Sequence, residues 1–175
     1  MISYQPGNQH RHSIRRWLLL GMTCGMLATV AACGSPPPPP PPTVVAIKLT
    51  AAADANATQS GQGAPVVVRI YQLASAAAFD GAEFFRLYNT DTATLGADLV
   101  KKDEYLLAPG ETRSLTLTPS EQTHTIGVFA AYRDFQQATW RATTPVPPHK
   151  TTDLAIVAGA TAVTVEASPA KPASP

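Results

Sequence analysis

Histidines, a serine–histidine–aspartate combination and two cysteines are the residues of this 175-residue chain whose types could do chemistry. Beyond the basic N-terminal stretch there are two histidines, His124 and His149; the first opens an apolar run and the second sits among prolines. No cysteine lies near either, so the thiolate–imidazole spacing of a zinc site is absent from the sequence. Ser114, His124 and Asp134 can be written as a triad, but a triad requires three groups that meet in space. No G-x-S-x-G turn presents the serine as a strained nucleophile. The stretch APGET (108–112) has a single glycine, too few to cradle a phosphate. Lys101, Lys102, Asp103 and Glu104 read as a solvated charged loop, because adjacent carboxylates do not converge on one ligand. Asn56-Ala57-Thr58 has the pattern of a glycosylation acceptor, which carries little weight without a secretory context of the right kind. The residues therefore predict neither catalysis nor a metal centre.

The cysteines tell more. Cys24 and Cys33 both lie in the N-terminal segment. Residues 10–16, HRHSIRR, are basic; residues 17–32, WLLLGMTCGMLATVAA, are apolar or small and uncharged. That order is the order of a signal peptide. The run is shorter than the ~20 residues of a spanning helix, and a proline tract that cannot continue a helix follows it. Val30-Ala31-Ala32-Cys33 resembles the bacterial lipobox, whereas Thr23 and Gly21 before Cys24 fit it poorly. The resemblance implies that residues 1–32 are removed, and that Cys33 becomes the first residue and carries diacylglycerol and an N-acyl chain. Several chains are needed because one acyl chain holds a protein to a membrane only marginally. With Gly34 rather than an aspartate after the cysteine, the resemblance places the protein on the periplasmic face of the outer membrane.

From Cys33 onward, ten basic residues face twelve acidic ones, a net charge of −2 with no basic cluster. That balance argues against a nucleic-acid surface. Seven of the seventeen prolines form the run Pro36–Pro42. A polyproline II segment rises ~3.1 Å per residue, so this run, with Cys33 to Thr43 around it, reads as a spacer of ~20 Å.

The elements that would position any site follow in residues 44–167. TVVAIKLTA (43–51) alternates, with Ile47 and Leu49 opposite Lys48 and Thr50. APVVVRIYQL (64–73) places Val66, Val68 and Ile70 on one face. TRSLTLTP (112–119), the longer apolar HTIGVFAAYRD (124–134), and KTTDLAIVA (150–158) with ATAVTVEA (160–167) about Gly159 complete the strong strands. A short strand surrounds Trp140, Arg141 and Thr143. Residues 76–89 break the pattern: Phe79, Phe84, Leu87 and Tyr88 recur near helical spacing, with Gly81 between two short helices. The fold class is thus mainly β, a sandwich of about seven to eight strands with a helical insertion. Residues 168–175 read as a disordered tail.

APVVVRIYQL, FDGAEFFRLYNTDTATLGADL, LAPGE and GVFAAYRDFQQATWR, in this order and spacing, resemble the outer-membrane lipoprotein of type VI secretion systems, the TssJ family. The resemblance implies a transthyretin-like β-sandwich, no enzymatic activity and no cofactor beyond the lipid on Cys33. It implies a partner, the periplasmic part of a large inner-membrane subunit, and with it a trans-envelope complex; neither nucleic acid nor a small-molecule substrate is implied. The loop between the first two strands, about 53–63, is the implied contact, which singles out Asp54, Asn56, Thr58, Gln59 and Gln62. That loop is polar and glycine-rich and reads as flexible, and it has no aromatic anchor of the kind hot spots use. The helical flap with its Phe84–Phe85 pair is a further candidate surface. Arg69, Arg133, Trp140 and Arg141 read as arginine–carboxylate or arginine–aromatic clasps that fix strands. The competing readings are a carrier of small hydrophobic ligands, which needs an enclosed apolar pocket, and an envelope hydrolase, which needs titratable groups in a cleft.

Overall fold

The computed structural model describes residues 37–170. Alternating apolar residues build eight strands in two four-stranded sheets. The first sheet contains β1 (Val44–Ala51), β4 (Thr112–Leu117), β7 (Thr151–Ala158) and β8 (Val163–Pro169), ordered β4-β1-β7-β8. Within it β1 and β7 run parallel, from Val44↔Thr151 to Ala51↔Ala158. The second sheet contains β2 (Val66–Leu73), β3 (Leu99–Leu107), β5 (Thr125–Ala130) and β6 (Arg141–Pro145), ordered β3-β2-β5-β6 and antiparallel throughout. Val45, Ile47 and Leu49 of β1 face Val66, Val68 and Ile70 of β2 and Ile126 and Val128 of β5 across the dry interior. Burying side chains of this size contributes about 1.5–3 kcal/mol each.

The helical insertion forms a third layer over the outer face of the second sheet. Helix α1 (Ala77–Gly81) and helix α2 (Phe84–Leu95) bury Phe79, Phe84, Leu87 and Leu95 against Tyr71, Leu73 and Phe129. Phe84, Leu87, Asp91 and Leu95 recur at intervals of three and four and share one face of α2. Gly127 lets the layer close: a Cβ there would stand 2.9 Å from Leu73 Cδ1 and 3.3 Å from the Phe79 ring. Because helices cover one face and the first sheet the other, β2 is buried on both faces.

The structure departs from the sequence reading in four places. Lys101–Glu104, expected as a charged loop, lie in the edge strand β3, whose alternation the charges disguise. The insertion continues past residue 89, through the rest of α2 and a 3₁₀ turn at Gly96–Asp98. β5 ends at Ala130, four residues before the expected Asp134, because the chain turns into a loop there. Ser168 and Pro169, expected to open a disordered tail, are strand residues paired with Asp153 and Thr152. The turn about Gly159 spans residues 159–162 and is closed by the Gly159 amide donating to the Ala162 carbonyl at 2.8 Å. Cys33, residues 1–32 and the last five residues lie outside the described part.

Candidate functional site

Parallel pairing of β1 with β7 brings their following loops to the same end of the sandwich. The connection after β5 arrives there too, and the structure ties the three together through Asn56. Its Nδ2 donates to the Pro65 carbonyl at 2.9 Å, its Oδ1 accepts from the Arg133 amide at 2.8 Å, and its own amide donates to the Gly159 carbonyl at 3.2 Å. Asn56 sits at φ 49°, a left-handed conformation that asparagine tolerates better than most residues. Thr58 closes the loop tip: its hydroxyl pairs with Ser60 at 2.8 Å and accepts from the Gln62 amide at 3.2 Å. Gly63 packs so closely that a Cβ would fall 2.2 Å from the Ala53 carbonyl oxygen.

The loop expected to be flexible is therefore internally braced, since the short polar side chains of Asn56 and Thr58 hydrogen-bond nearby backbone groups. This separates the five residues singled out in the sequence. Asn56 is buried, 7% exposed, and Thr58 is engaged within the loop. Asp54, Gln59 and Gln62 point their polar groups outward on exposed positions. Between the three loops lies an open cleft of about 510 Å³, lined by Asn56, Thr58, Gln59, Tyr132, Arg133 and Asp134 among others. Tyr132 is 4% exposed, and burial pushes its phenol well above the usual tyrosine range.

The clasp residues act mainly on the helices. Arg69 of β2 donates through Nη1 to the carbonyls of Leu87 and Tyr88, both at 2.9 Å, and through Nε to Glu104 at 2.6 Å. Those carbonyls precede a break in α2 at Thr90 (φ −140°, ψ 36°), where helical partners are missing. A guanidinium suits the negative end of a helix segment. Asp91, just past the break, accepts from Tyr71 Oη at 2.9 Å and Lys102 Nζ at 2.8 Å. Burial opposes its charge, but these two donors and the Thr92 amide outweigh it and hold the carboxyl below the usual range. Arg141 repeats the device on α1, donating to the carbonyls of Phe79 at 3.1 Å and Ala82 at 2.6 Å, with its guanidinium 4.6 Å from the Trp140 ring centre. At Arg133 the backbone amide makes the tie to Asn56, and the exposed guanidinium faces the cleft region.

Asp91 escaped the sequence reading, and Lys102 and Glu104, read there as solvated charges, are partners of Asp91 and Arg69. The period-two pattern of LVKKDEYLL was the available signal for the latter two, and nothing local marks Asp91. In the Phe84–Phe85 pair only Phe85 is exposed, at 55%; Phe84 is buried beneath it. Phe85 meets Phe135 edge-on at 4.9 Å, which sets an aromatic surface beside the loop that carries Arg133 and Asp134. The side chains of His124 and His149 share no hydrogen-bond partner, and no group of three His, Cys, Asp or Glu among the described residues is placed to hold a metal. No helix among the described residues is long and apolar enough to cross a membrane.

The family model described as type VI secretion lipoprotein, VasD, EvfM, TssJ matches residues 43–161. No curated protein matches the chain. Among solved structures it is similar to the T6SS lipoprotein TssJ1 from Pseudomonas aeruginosa, with 46% identity over 75% of this chain and 100% of that one and a TM-score of 0.72. It is also similar to Serratia marcescens Lip, a membrane-bound component of the type VI secretion system, with 29% identity over 71% of this chain and 98% of that one and a TM-score of 0.66. A chain in the structure of the T6SS protein TssM C-terminal domain from EAEC is 23% identical over 71% of this chain and 98% of its own, with a TM-score of 0.57, a likeness of fold alone.

Proposed function

This chain belongs to the type VI secretion lipoprotein family, and from that premise we propose that it anchors the trans-envelope complex of the secretion machine to the outer membrane. It is a structural lipoprotein with the TssJ type of β-sandwich, not an enzyme. In the proposed reading Cys33 carries the acyl chains, Pro36–Pro42 spaces the sandwich from the bilayer, and the exposed loop end binds the periplasmic part of a TssM-type inner-membrane subunit.

The observation that carries this reading is the opposition of two ends. The chain enters β1 beside the Pro145–Lys150 turn, where the Val44 amide donates to the Lys150 carbonyl at 3.0 Å. The braced loops, with Asp54, Gln59, Gln62, Arg133 and Asp134, lie at the other end of the strands. A tethered domain built this way presents rigid polar loops away from its attachment point. Preorganised loops lose less entropy on binding than flexible ones. The neighbouring Phe85 and Phe135 supply the aromatic area that the loop itself lacks.

Two measurements test the halves separately. A Cys33→Ser chain is expected to leave the outer-membrane fraction and appear in the soluble periplasm; unchanged partitioning defeats the lipid half. Capture of the purified periplasmic domain of a TssM-type subunit by the immobilised chain tests the partner half. Gln59→Arg with Gln62→Arg is expected to weaken that capture at least tenfold, while no capture by the unaltered chain defeats the partner assignment.

A further inference from the structure

The tether and the braced loop are the two ends of one strand. β1 runs from Val44 to Ala51, an interior strand paired with β4 on one side and β7 on the other. Before it, residues 41 and 43 are held by the turn that precedes β7. The His149 amide donates to Thr43 Oγ1 at 2.9 Å, and His149 Nδ1 lies 3.0 Å from the Pro41 carbonyl oxygen, which makes Nδ1 the protonated nitrogen of this contact. His149 makes these contacts from a left-handed backbone, φ 58°, between Pro147–Pro148 and β7. A non-glycine residue persists there only when its surroundings over-determine it. After β1, the Ala51 amide donates to the Glu111 carbonyl and the Ala52 amide to the Ala158 carbonyl, and Asn56 then ties the loop to two others.

We propose that β1 is the tension member of this protein: pull between the membrane anchor and a partner on the β1–β2 loop passes along the covalent backbone of one already extended strand. This rests on the anchoring reading above. An extended strand at about 3.3 Å per residue has almost no slack to release. The hydrogen bonds to β4 and β7 and the buried Val45, Ile47 and Leu49 keep the strand seated and carry little of the axial load. The sandwich can therefore stay folded under forces that would peel its edge strands, and the His149 turn holds Pro41 and Thr43 at the entrance to the strand.

Optical tweezers on the full, unprocessed and unacylated chain with Cys24→Ser, in which the Cys33 thiol is free, test this, with one handle on Cys33 and the other on an introduced Gln59→Cys. A second pulling geometry uses Cys33 and Ser168→Cys, which grips β1 and β8 at the same end of the first sheet and loads their hydrogen bonds one at a time. The first geometry is expected to stretch without a cooperative rip through the force at which the second unfolds the domain. His149→Gly, which accepts the same backbone angle without the ring, is expected to add a short early lengthening in the first geometry and leave the domain folded. A rip in the first geometry at or below the force of the second overturns the proposal, as does an unchanged trace in the glycine variant. The measurement contains neither membrane nor partner, so failure of the anchoring reading shows in fractionation and capture, and failure of the tension path shows here.

Discussion

Asp91 shows how much a single carboxylate organises. It sits where α2 breaks, and its side chain receives Tyr71 and Lys102 while Arg69 stands 3.4 Å away. The same arginine caps the carbonyls left open on the other side of the break. The folded-state pKa of Asp91 lies below its ordinary value. Its contribution to stability is then fully present above the unfolded value of about 3.9 and is lost as pH falls through the lower folded value. Asp91→Asn is expected to cost about 2 kcal/mol at pH 7, less than a fully buried pair because Lys102 reaches solvent and Arg69 keeps Glu104. The gap between variant and parent urea midpoints should narrow as pH drops from 5 to 3; a gap independent of pH would show that the charge is not what matters. Asn56 belongs to the same scale. Asn56→Ala removes both side-chain hydrogen bonds and leaves a β-carbon residue at positive φ, for an expected loss of about 2–3 kcal/mol measured by urea denaturation. The family resemblance marked Asn56 as a contact residue because it lies in the polar loop between the first two strands. Its role as a staple depends on Pro65, Arg133 and Gly159, which no local pattern connects to it.

At the scale of elements, the helical layer depends on what lies beneath it. Tyr71, Leu73 and Phe129 are outward-facing residues of the second sheet, and they are buried only because α1 and α2 lie over them. Gly127 is the contact point, with Phe79 above and Leu73 beside it. Gly127→Ala is expected to destabilise by about 1–3 kcal/mol through overpacking and to raise amide exchange in α1 ahead of the strands; uniform exchange would place the strain elsewhere. Where periodicity agreed with burial on one face, as in β1 and β7, the strands were plain in the sequence. β3 was not, because its charged residues answer groups on other elements: Lys102 meets Asp91 and Glu104 meets Arg69. Such charges look solvated until the tertiary partners are known.

For the whole molecule, the decisive relation is between the end at which the chain enters β1 and the end that carries the loops. Among the described residues, the sandwich interior and the helix-covered core are built from side chains within residues 44–169. Cys33→Ser is accordingly expected to change membrane partitioning and leave the unfolding free energy from urea titration within about 0.5 kcal/mol of the parent; a larger loss would mean that the N-terminal segment supports the fold. The sequence by itself determined the class of the protein: signal-like leader, lipobox-like cysteine, proline run and alternating strands are local patterns, and local patterns survive without coordinates. Tertiary structure alone decided which polar residues are free to meet a partner. Exposure, helix capping and the bracing of loops are relations between residues such as Asn56 and Arg133, or Arg69 and Leu87, far apart in the chain, and chain folding is what brings them within hydrogen-bonding distance.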